Sequence, residues 1–99
     1  MEVKKMDRQL LNELELLTKK IEANTAKVID YQRYETILTR GGLTRERIYS
    51  YLKRAGFKTW TEFYKARNNK ITSKNIEAGI IGGLIGLGVG LLIASLLED

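Results

Sequence analysis

Ten basic side chains stand between residues 40 and 74: Arg40, Arg45, Arg47, Lys53, Arg54, Lys58, Lys65, Arg67, Lys70 and Lys74. Only Glu46 and Glu62 offset them, which leaves +8 on this segment. Cationic groups at that density neutralise phosphates, in a nucleic-acid backbone or on an anionic lipid surface. Arg45, Arg47, Arg54, Lys58, Lys65, Arg67, Lys70 and Lys74 are the candidates for that contact. Bond-making chemistry has far less to draw on. The chain has no His and no Cys, which excludes imidazole bases, thiol nucleophiles, zinc fingers, haem ligation and disulfides. Ser50 and Lys53 have S-x-x-K spacing, but the companion motifs of that acyl-transfer chemistry are missing and 99 residues leave no room for its fold. Glu13 and Glu15 fall on different faces of a helix and cannot share a site. The sequence predicts a non-enzyme that uses no metal and no cofactor.

The charges must be positioned by elements, and charge itself divides the chain. Residues 1–39 carry seven basic and seven acidic side chains, residues 40–74 carry the +8, and residues 75–99 carry only Glu77, Glu98 and Asp99. A balanced segment (1–40), a basic segment (41–74) and an apolar segment (75–99) therefore follow one another.

The apolar segment contains an uncharged run over residues 78–97 with six of the nine glycines. As a helix this run is about 30 Å long, the thickness of a bilayer core. Each glycine costs roughly 1 kcal/mol relative to Ala in a water-exposed helix, whereas lipid forces the backbone to close its own hydrogen bonds. Gly82, Gly86 and Gly90 recur every four residues and form a groove, with Gly79 and Gly83 as a parallel ridge. Such small-xxx-small spacing lets a second backbone approach closely, so copies of this chain are expected to meet here. The run has no Lys-Ser/Thr after its glycines and is no phosphate loop. Basic residues precede it and none follows, which predicts a membrane span with the N-terminal part in the cytoplasm or in a particle interior. The competing reading is a buried helix inside a homo-oligomer without lipid.

From Met6 to about Leu38 there is no Gly and no Pro. Leu10, Leu14, Leu17, Ile21, Asn24, Val28 and Tyr31 step by four and three, which predicts one long amphipathic helix. Leu10, Leu17, Asn24 and Tyr31 take the a positions of its heptads, and an Asn at a is a known means of fixing register between chains. These residues are expected to contact another copy. Gly41-Gly42 should end the helix.

Thr44 should cap a following helix and Gly56 should end it. Thr59-Trp60-Thr61-Glu62 is a T-x-x-E capping box opening the next helix, with Trp60, Phe63 and Tyr64 inside. Thr72 or Ser73 should cap the last. Two short basic helices about a Gly turn invite a helix-turn-helix reading. Ile48, Leu52, Lys53, Gly56, Glu62 and Phe63 give this quarter of the chain a pattern that resembles the second helix pair of AraC-type regulators. That resemblance implies DNA binding. The segment departs from the family in the shorter Leu52–Gly56 stretch and in the Gly41-Gly42 that precedes it.

Together these signals predict an all-α protein: a long amphipathic N-terminal helix, a short basic helical pair and a C-terminal glycine-rich apolar helix. The expected function is structural. The chain would self-assemble as a homo-oligomer in a membrane envelope or virion, with DNA, RNA or membrane lipid met through its basic segment. A tail-anchored DNA-binding protein and a holin-like pore-former are the alternatives, separated by sequence-dependent affinity and by ion leakage respectively.

Overall fold

The computed structural model describes residues 7–70 and 72–97, and these form five helices: α1 (Arg8–Glu22), α2 (Val28–Arg40), α3 (Arg45–Arg54), α4 (Trp60–Asn68) and α5 (Lys74–Leu97). The all-helical expectation holds.

The helix starts follow local side-chain chemistry. The Asp7 carboxylate accepts from the Leu10 N–H at 2.8 Å, Thr44 Oγ1 from the Arg47 N–H at 3.2 Å, Thr59 Oγ1 from the Glu62 N–H at 3.1 Å, and Ser73 Oγ from the Ile76 N–H at 3.2 Å. Each satisfies an N–H that has no partner within its helix. Glu62 reaches back one residue beyond its cap and accepts from the Lys58 N–H at 3.0 Å.

The expected single N-terminal helix is two helices. Asn24 adopts φ 59°, and the Thr25 N–H reaches the Lys20 carbonyl at 2.9 Å while the Asn24 N–H reaches that of Ile21 at 3.2 Å. This is a Schellman ending, and Asn substitutes there for glycine because its short polar side chain tolerates the left-handed region. Asp30 then accepts from the Lys27 N–H at 2.9 Å and starts α2. Asn24 is therefore a turn residue and holds no heptad position. The same ending recurs at Gly42 (φ 109°) and Gly56 (φ 89°), where the sequence placed helix ends.

The fold-back makes α1 and α2 a hairpin, and the stripe expected to meet another chain is used inside this one. Leu14, Leu17 and Ile21 are buried, with Leu10 and Val28 partly so, against Tyr31, Tyr34, Ile37 and Leu38 of α2 and Ile80, Leu84, Leu87 and Leu91 of α5. Ile48 and Leu52 of α3 and Trp60 and Phe63 of α4 complete this core. Tyr31 stacks on Trp60 with centroids 5.5 Å apart and meets Phe63 edge-on at 6.1 Å. The balanced, basic and apolar segments thus share one interior, and α5 is its central strut.

α5 packs chiefly on α1 and α3. Thr18 lies beside Gly88, whereas Asn24 shares a cleft with Lys74 and Glu77. The two helices therefore run antiparallel. Glu13 and Arg33 pin α1 to α2 through a two-pronged ion pair whose Nη2–Oε1 distance is 2.9 Å.

Candidate assembly face and basic surface

The glycines of α5 divide between two faces. Gly83 lies under the Tyr51 ring and Gly88 under the Tyr34 hydroxyl, so a Cβ at either would collide with the side chain above it. That close approach lets Tyr34 donate to the Leu84 carbonyl at 2.7 Å. A Cβ at Gly79, Gly82, Gly86 or Gly90 would meet no atom within 4 Å. The expected ridge of Gly79 and Gly83 is therefore split: Gly79 joins Gly82, Gly86 and Gly90 outside, and Gly83 serves the core.

The outward glycines are bordered by exposed apolar side chains. Ile76, Val89, Ile93 (53 % exposed) and Leu97 (80 % exposed) stand on the solvent side of the same helix. A solvent-facing stripe on a surface helix is ordinarily polar, and contiguous exposed apolar area marks an interaction site. The stretch Lys74–Ser95 is long and apolar enough to cross a membrane. Alongside its middle, however, α1 presents Glu15 and Lys19 to solvent, 3.6 Å apart, with Lys19 72 % exposed. Each charge at bilayer mid-depth costs about 2.5–3.5 kcal/mol on insertion scales. With α1 docked, α5 has a charged helix beside it where a span would need lipid.

The basic candidates also divide. Arg67 points inward, its side chain 13 % exposed: Nη1 donates to the Tyr31 hydroxyl at 3.0 Å, Nε lies 3.7 Å from Glu77 Oε1, and the guanidinium sits 5.4 Å from the Phe63 centroid. Arg45 donates from Nε to Glu35 Oε2 at 3.2 Å. Arg54 lies over Tyr51 at 5.8 Å and, with Asn75, Ile76 and Gly79, lines a cleft of about 280 Å³ where α3 meets the start of α5. Arg47, Lys58, Lys65, Lys70 and Lys74 are exposed.

Sequence reasoning missed Glu35. It is 7 % exposed and joins three helices, accepting from Arg45 of α3 and, on Oε1, from the Trp60 indole N–H of α4 at 2.9 Å. The Tyr49 hydroxyl also meets this carboxylate; burial first, then the hydrogen bond to Glu35, push that phenol up to about 12. A signal was present, because Tyr31, Tyr34, Glu35 and Leu38 have the spacing of one helix face. Comparison of the chain with protein-family models, with curated proteins and with solved structures gives no match.

Proposed function

We propose that this chain is a non-enzymatic structural protein that assembles with copies of itself through the outer face of α5. The supporting observation is that Gly79, Gly82, Gly86 and Gly90 have open space above them while Ile76, Val89, Ile93 and Leu97 are exposed beside them. The assembled molecule presents Arg47, Lys58, Lys65, Lys70 and Lys74 to an acidic partner, either a nucleic-acid backbone or an anionic lipid surface. A virion or envelope layer is the kind of assembly this design serves.

The length and apolarity of α5 favour a second reading, in which it crosses a membrane. That reading, and the tail-anchored and pore-forming versions of it, requires the α1–α2 hairpin to leave α5.

Sedimentation of the full chain, with Gly86→Leu beside it, tests the proposal. The wild type should run as an oligomer and Gly86→Leu as a monomer with unchanged helical circular dichroism, since the monomer has room for the new side chain. An identical mass for both forms rules out the glycine face as the interface. Co-flotation of the wild type with vesicles, together with loss of the α1–α5 contact, would favour the membrane reading instead.

A further inference from the structure

Resting on the self-assembly reading, we infer that the second copy lies antiparallel on α5, with the two-fold axis through Gly86. The face is close to symmetric about that residue. Gly82 and Gly90 lie four positions to either side of it, and Gly79 and Ile93 lie seven. Turned end for end, the second copy sets its Gly90 over Gly82 and its Gly82 over Gly90. The two backbones then approach most closely over about 12 Å around the axis. The same turn places Ile93 of each copy over Gly79 of the other, a large side chain into a space that nothing in the monomer fills. A parallel pair would set Ile93 against Ile93 and leave the opening at Gly79 empty.

Charge points the same way. Lys74 is exposed at the start of α5 and Lys70 in the turn that follows α4, and Arg54 lies at the cleft beside Gly79. Antiparallel copies bring the basic start of one helix to the C-terminal, negative end of the other's dipole, and the two dipoles run in opposite directions. Parallel copies stack like charge on like charge, and their dipoles repel. Membrane topology would impose the parallel arrangement, because the basic flanks of all copies stay on one side. Orientation therefore also separates an aqueous assembly from a bundle of spans.

The test uses the absence of Cys from the chain. Gly82→Cys, Gly86→Cys and Gly90→Cys each introduce a single thiol at a position where the monomer has room. A disulfide needs Cα atoms within about 7 Å, whereas the two copies of residue 82 lie about 12 Å apart along the axis in the antiparallel pair. Under mild oxidation of the full-length protein, Gly86→Cys should cross-link to itself. Gly82→Cys and Gly90→Cys should stay uncross-linked alone and form a mixed disulfide when combined. Self-cross-linking of Gly82→Cys and of Gly90→Cys would overturn the antiparallel arrangement and leave self-assembly standing. An oligomeric mass with no cross-link at any of the three positions would place the interface elsewhere and overturn the inference. A monomeric mass would overturn this inference and the assembly reading together.

Discussion

Glu35 is a buried carboxylate that ties three helices together. Its two oxygens accept from Trp60 and Arg45, and so bind α2 to α4 and α3 at one point. Truncation leaves a buried indole N–H without an acceptor and removes a charge-assisted contact. Glu35→Ala should lower stability by about 2–4 kcal/mol, read as a shifted urea midpoint, whereas Glu35→Gln should retain the Trp60 bond and lose less. Tyr49 supplies a pH signature of the same cluster. Its folded pKa is about 12 against an ordinary value of 10.0. The neutral phenol's contribution is therefore fully present below pH 10 and is lost as pH rises toward 12. Urea midpoints measured across that interval should fall, and Tyr49→Phe should make the fall less steep. The helical spacing of Glu35 among tyrosines was visible in the sequence. Its partners were not, because Arg45 and Trp60 reach it only once three helices have docked.

At the scale of elements, the capping residues and turn glycines were legible because their chemistry is local. Thr44, Thr59, Ser73, Gly42 and Gly56 act within a few residues of where they stand. The α1–α2 break was harder to see, since Leu14, Leu17 and Ile21 have the same spacing whether the facing helix belongs to this chain or to another. Asn24 decides between them. At φ 59° a branched or bulky residue costs about 1–2 kcal/mol, so Asn24→Val should destabilise by that amount while Asn24→Gly is neutral or better. A coiled coil with Asn24 at an a position would gain stability from the apolar residue. The glycines of α5 give a second contrast. Gly88→Ala must push the Tyr34 ring off α5 and break its bond to Leu84, costing about 1–3 kcal/mol. Gly82→Ala meets only open space and should stabilise the monomer by the roughly 1 kcal/mol that separates Ala from Gly in a helix, read as a higher thermal midpoint. The direction of each glycine was not readable from the sequence, because an evenly apolar helix has no polar side to orient it.

At the scale of the whole molecule, the +8 of residues 40–74 is not one surface. Arg67 belongs to the interior, and Arg45 is tied to Glu35. If five of the exposed side chains, Arg47, Lys58, Lys65, Lys70 and Lys74, each neutralise one phosphate, log affinity for duplex DNA should fall with log salt at a slope of about −4.5. Binding should not depend on the sequence of the duplex, since phosphate contacts carry no sequence information. Replacing Lys58 and Lys65 by Ala should flatten the slope by about 2 at unchanged stability. Arg67→Ala should instead lower stability, because it vacates the contact with Tyr31, Glu77 and Phe63. Titrations at three salt concentrations, paired with melting curves, separate the exposed cations from the interior one. Charge counting along the sequence could identify the segment. Only packing decides which of its members reach the solvent.

The antiparallel contact between α1 and α5 has a kinetic consequence. The Tyr34–Leu84 bond closes across 50 residues, and Thr18 meets Gly88 across a longer interval still. Helical proteins whose contacts are mostly local fold fastest, and long-range closure slows the search because its entropy must be met before the contacts form. This chain should therefore refold more slowly than a helical bundle of its size made of sequential hairpins. Until closure, the inner side of α5 is as exposed as its outer side, and collision with another chain competes with the native partner. The yield of native protein on refolding should rise with dilution.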